Sequence, residues 1–122
     1  MIKGVFYKNT PFVRISVGWR QIMQSPFFVL DTGFTGYLQI TSKMAAELRL
    51  EPAQVIPVKV ASGQIVKVPT AFAFANMESE KKYMEVLISD SLPLAGISLL
   101  SRFGYKAIVD CKYKTVELER VS

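Results

Sequence analysis

Phe27-Phe28-Val29-Leu30-Asp31-Thr32-Gly33-Phe34-Thr35-Gly36 is the stretch whose reading decides the fold of this chain. Four apolar residues run into an acid, and two glycines follow within five positions. A continuous apolar run bounded by turn residues predicts a strand buried on both faces. Its end at Asp31-Thr32-Gly33 places a carboxylate where the sheet gives way to tight backbone. Two roles are open to that acid. It can accept backbone hydrogen bonds in an Asx-type turn, or it can do chemistry. About one chain in fifty of this length carries an Asp-Thr-Gly by chance, so the triplet alone favours the turn.

Composition narrows what surrounds it. The 122 residues suit one domain, 1–122, half of them hydrophobic and one fifth charged, so a packed core is expected. No apolar run approaches the ~20 residues of a membrane-spanning helix. The stretch Met1 to Lys8 lacks the long apolar region of a signal peptide. Cys111 is the single cysteine, which excludes an intrachain disulfide. A cytoplasmic location without membrane association is the resulting expectation. The net charge of +5 is carried by lysines spread singly or in pairs, without the concentrated patch that nucleic acid requires. No nucleic-acid partner is expected. Histidine is absent, which excludes His-based triads and argues against a zinc site. No metal or cofactor is expected, and catalysis must rest on carboxylates, hydroxyls, lysine or one thiol. Cys111 lies in a polar turn beside lysines, and without a histidine base it is a weak nucleophile candidate.

Along the chain, residues 5–8 and 12–19 read as two strands with a turn near Asn9-Thr10. Trp19 to Ser25 reads as a loop or hairpin connection, and Tyr37 to Ile40 as a strand. Thr41 or Ser42 can cap a helix to about Leu50, with Met44, Ala45 and Leu48 on one face and Pro52 as its stop. A β-hairpin follows whose register can be argued. A three-residue loop Ala61-Ser62-Gly63 pairs Val60 with Gln64 and Val58 with Val66. That puts Val58, Val60, Val66 and Val68 on one face and Gly63 where a left-handed residue is wanted. Thr70 to Ala75 and Tyr83 to Ile88 read as a strand pair joined by an exposed, charged turn, Asn76 to Lys82. Leu92 to Gly96 is a short strand, Ile97 to Phe103 two helical turns stopped by Gly104, and Tyr105 to Val109 with Thr115 to Leu118 a final hairpin. The sum is mainly β: many short strands and two short helices in a closed or folded-over barrel.

Three features shift Asp31 away from the plain turn. The triplet follows an apolar strand and is followed by Phe34-Thr35-Gly36. A glycine-tipped hairpin comes roughly thirty residues later. Leu94-Ala95-Gly96, two apolar residues and a glycine, stands before a short helix near the end. Together these resemble the retropepsin-like aspartic proteases, the single-domain family of retroviral proteases and bacterial relatives. The resemblance runs from about Val13 to Leu118, and Leu30-Asp31-Thr32-Gly33 with Thr35 is its most specific element.

The resemblance implies an acid-protease barrel with Asp31 as the catalytic acid. Thr32, Gly33 and Thr35 would support the acid loop, Thr32 by bonding across to a partner chain. Phe34 would line a pocket, Ala61, Ser62 and Gly63 would form the tip of a flap over bound peptide, and Leu94, Ala95 and Gly96 would pack against the loop. The chemistry needs two carboxylates, yet Asp90 precedes Ser91-Leu92 and Asp110 precedes Cys111-Lys112, so neither lies in a second acid loop. A homodimer acting on peptide or unfolded protein follows. Three departures from the retroviral pattern stand out. Thr35 replaces a second acid, the helix near 42–50 is extra, and Ile97-Ser98 stands where Arg-Asn follows the glycine. The other expectation on the same fold is a dimeric peptide-binding or scaffold module that does not cleave.

Overall fold

Alternating β-branched and aromatic residues fold as thirteen short strands and two helices in a computed structural model that describes residues 1–122. Strands β1 (Ile2–Lys3), β2 (Val5–Tyr7), β3 (Thr10–Arg14), β4 (Ser16–Trp19), β5 (Ile22–Gln24), β6 (Phe27–Leu30) and β7 (Leu38–Ile40) precede helix α1 (Ser42–Glu47). Strands β8 (Pro52–Lys59), β9 (Ile65–Met77), β10 (Glu80–Ile88) and β11 (Leu94–Ala95) lead to α2 (Ile97–Phe103). The hairpin β12 (Tyr105–Asp110) and β13 (Thr115–Arg120) closes the chain.

Ten strands make one curled half-barrel in the order β2-β3-β6-β11-β7-β10-β9-β4-β5, with β8 on β9. A smaller sheet, β1-β13-β12, completes the mainly β fold. The centre of the large sheet sets up the site. β11 inserts between β6 and β7, parallel to the first (Leu94 to Val29, Ala95 to Leu30) and antiparallel to the second (Leu94 to Gln39, Ala95 to Leu38). The loop after β6 is therefore clamped by a strand from late in the chain. Behind it, Phe28, Leu38, Ile40, Leu99 and Leu118 are fully buried in a cluster of 23 residues that joins the large sheet to α2 and the final hairpin. Burying each such side chain stabilises the fold by about 1.5–3 kcal/mol.

The hairpin register follows the valine alternation. Val58 pairs with Val66 and Lys59 with Ile65. Val60 N donates to Gln64 O at 2.9 Å, Gly63 N donates to Val60 O at 2.9 Å, and Gly63 has φ +85. Trp19 to Ser25 is a hairpin connection, with Trp19 opposite Ile22.

Four local expectations are corrected. β6 is not buried on both faces: Phe28 and Leu30 are buried, while Phe27 is 40% exposed and Val29 half-buried. The core covers one face of the sheet there, and on the other the Arg14 guanidinium lies 4.5 Å from the Phe27 ring centre. Helix α1 is shorter than expected. Thr41 Oγ1 accepts from Met44 N at 3.1 Å, and Met44, Ala45 and Leu48 are buried, but Arg49 turns left-handed at φ +55 before Pro52 is reached. The second arm of the glycine-tipped hairpin and the next strand are one continuous β9 running through Pro69. Pairing with β10 begins at Thr70, so one edge of β9 is open at Pro69, where a missing N–H is tolerated. The charged turn is two residues, Glu78 and Ser79, both at positive φ. It is also not merely solvated. Glu78 accepts from Tyr105 Oη at 2.6 Å and pairs with the N-terminal ammonium at 2.6 Å, and Glu80 pairs with Arg120 at 3.0 Å.

Candidate active site

The β6–β7 loop is held mainly by backbone hydrogen bonds. Asp31 N donates to Ala95 O at 3.0 Å, Gly96 N to Tyr37 O at 2.9 Å and Ile97 N to Phe34 O at 2.9 Å. Ser98 Oγ donates to Thr35 O. β11 and the first turn of α2 thus bind the loop along its length, and Leu94, Ala95 and Gly96 lie against it. Glycine is required at 96: a Cβ there would collide with Gly36 O and stand 2.7 Å from Phe34 O. Gly36 is less constrained, since the nearest atoms its Cβ would meet are those of the Phe34 ring, at 2.5 Å, and not backbone. Within the loop Asp31 Oδ1 accepts from Gly33 N at 2.9 Å, and Phe34 N donates to Asp31 O at 3.1 Å. The Asx-type turn is therefore present. It occupies one carboxylate oxygen and leaves Oδ2 without a partner in the chain. Asp31 is half-buried, while Thr32, Gly33 and Thr35 are exposed.

A cleft of about 490 Å³ opens beside this loop. One wall is Gly33, Phe34, Thr35, Gly36 and Tyr37; the other is Ile56, Pro57, Val58 and Lys59 of β8 with Glu85 and Leu87 of β10. Asp31 adjoins the cleft through its bond to Gly33. The hairpin contributes its stem, not its tip. Ala61, Ser62 and Gly63 are exposed and do not line the cleft, and a Cβ on Gly63 would meet nothing within 4 Å. Phe34 does line the cleft, where it also packs over Gly36 and Gly96.

The other two aspartates are occupied elsewhere. Asp90 Oδ1 accepts from Ser42 N at 3.0 Å at the start of α1, and that bond holds its carboxyl below the usual range. Asp110 Oδ1 accepts from Lys112 N at 3.0 Å and Tyr113 N at 2.9 Å in the last hairpin turn. Among the cleft residues that sequence reasoning missed, Glu85 is the one acid. Its signal was an acid alternating with Tyr83 and Leu87 on the face of β10 away from buried Met84 and Val86. Thr70, through its hydroxyl, and Gln54 hold the Glu85 carboxyl below its usual range.

No protein-family model matches the sequence, and no curated protein matches it. Among solved structures, the EIAV protease complexed with the inhibitor HBY-793 matches with a TM-score of 0.65. The match covers 86% of this chain and 100% of that one, at 15% sequence identity. The fold is retropepsin-like. The β6–β11–β7 arrangement places Asp31 at the end of an inner strand of the half-barrel, beside the open cleft. No helix is long and apolar enough to cross a membrane.

Proposed function

We propose that the chain is an aspartic endopeptidase that acts as a homodimer, with Asp31 and its symmetry mate sharing one proton. The observation that carries this reading is the Asp31 carboxylate itself. It is braced by backbone on a cleft-side loop and has one oxygen free, while the chain's other two aspartates are engaged elsewhere, Asp90 at the start of α1 and Asp110 in the last hairpin turn. Two like carboxylates about 3 Å apart cannot both ionise, so the pair holds one proton between them. The ionised member takes a proton from water as the oxygen attacks the peptide carbonyl. The protonated member gives its proton to the carbonyl oxygen. Collapse of the tetrahedral intermediate breaks the C–N bond, and a proton passes to the leaving nitrogen. Thr32 and Gly33, both exposed, are free to meet the second copy and the substrate backbone. The Ala61–Gly63 tip is the flap that closes on bound peptide. Ile97 supports a partner face beside the acid, since its N–H is tied to the loop while its side chain is 43% exposed.

The test is cleavage of an unstructured protein from about pH 3 to 7 by wild type and Asp31→Asn, with molar mass by light scattering. Activity that vanishes with Asp31→Asn in a dimeric protein supports the reading. Activity that survives overturns it, and a dimer inert at every pH points to a binding or scaffold module.

A further inference from the structure

Glu85 faces the cleft from β10, and its surroundings are built rather than incidental. Oε2 accepts from Thr70 Oγ1 at 2.5 Å and from Gln54 Nε2 at 2.6 Å. Both donors fall on the same oxygen, so Oε1 has no partner in the chain. Thr70 is fully buried, the single polar residue in the buried set, so packing fixes the first donor. The carboxyl is kept ionised by these two bonds. The rest of the wall beside it is apolar: Ile56, Val58, Leu87 and, across the cleft, Phe34 and Tyr37. Lys59 is the one cation in the lining, and strand alternation puts it on the other face of β8 from Ile56 and Val58. None of the chain's ion pairs includes Glu85.

An extended peptide filling this cleft strips water from Oε1. An ionised carboxylate that loses water without gaining a donor is strongly penalised, so an apolar or acidic ligand side chain is rejected at that point. A lysine or arginine side chain restores the lost bonds as charge-assisted ones, and its methylene stem matches the apolar lining. We propose that Glu85 determines specificity, selecting peptides with a lysine or arginine at one fixed position from the acid loop. This inference rests on the peptide-cleaving reading of the same cleft.

The test digests an unstructured peptide mixture with wild type and reads cleavage sites by mass spectrometry. Matched peptides with lysine or norleucine at the enriched position then give kcat/KM. Enrichment of Lys and Arg at one position, with a preference of roughly tenfold or more over norleucine, is the expected result. The ratio falls to near one in Glu85→Gln and turns toward acidic side chains in Glu85→Lys. Absence of enrichment, or a preference that survives in a folded Glu85→Gln, overturns the assignment and leaves the protease reading intact. If wild type cleaves nothing, the matched peptides are titrated onto it by fluorescence anisotropy. A lysine preference in affinity that Glu85→Gln removes then upholds the cleft assignment while the chemistry fails; equal affinities, or no binding, overturn it.

Discussion

Asp31 owes its position to a turn that ties down one carboxylate oxygen and leaves the other free. The turn therefore does not exclude the proposed chemistry, since one carboxylate oxygen stays open, which the triplet alone could not reveal. Replacing Asp31 by Asn keeps the Oδ1 bond and removes the base, so cleavage should fall by roughly 10²–10⁴-fold with the thermal midpoint little changed. Gly96→Ala acts on the frame instead. Its methyl meets the carbonyls of Gly36 and Phe34 and should cost about 1–3 kcal/mol in unfolding free energy, read by urea denaturation. The turn at Asp31, Thr32 and Gly33 was legible because three residues in sequence make it. Glu85 was not, because its meaning depends on Thr70 and Gln54, which only the pairing of β8, β9 and β10 brings to it.

At the scale of elements, the β8–β9 hairpin was readable down to its register, because valine alternation and one glycine fix both pairing and turn. Its far arm was misread at Pro69, where an open strand edge removes the usual objection to proline. The Glu78-Ser79 turn was hidden for a related reason. Neither residue carries the Asn-Gly signal of a tight hairpin, yet both adopt positive φ. Gly63→Ala forces a side chain into φ +85 and should destabilise the hairpin tip by about 1 kcal/mol. Hydrogen exchange should quicken at Val60 and Gly63 amides while the global midpoint holds. Ile97→Glu should lower the light-scattering mass toward that of a single chain, since it sets a charge on the exposed residue beside the acid loop. A dimer unaffected by Ile97→Glu would place the partner face elsewhere.

Across the whole molecule, the half-barrel and its core were predictable from the density of short apolar strands, whereas the closing contacts were not. β1 pairs with β13, and the Glu78–Tyr105–Arg120–Glu80 group joins the β9–β10 turn to the final hairpin. These are contacts between segments far apart in sequence, and no periodic pattern announces them. They give stability a pH dependence. The Glu78 carboxyl is held low chiefly by the N-terminal ammonium and Tyr105, and Glu80 chiefly by Arg120. Depressed folded values mean stability that is present above the ordinary value of 4.5 and lost as pH falls below it. The thermal midpoint should therefore drop on acidification through that range, and less steeply in Glu78→Gln.

The central claim is that two chains share one active site, and mixing tests it most directly. Wild-type and Asp31→Asn chains are exchanged at fixed total concentration and cleavage is measured against the wild-type fraction. A dyad built across a two-fold axis predicts activity that follows the square of that fraction, about one quarter at equal mixing. A loss in simple proportion, about one half at equal mixing, would show that each chain works alone and would contradict the shared dyad.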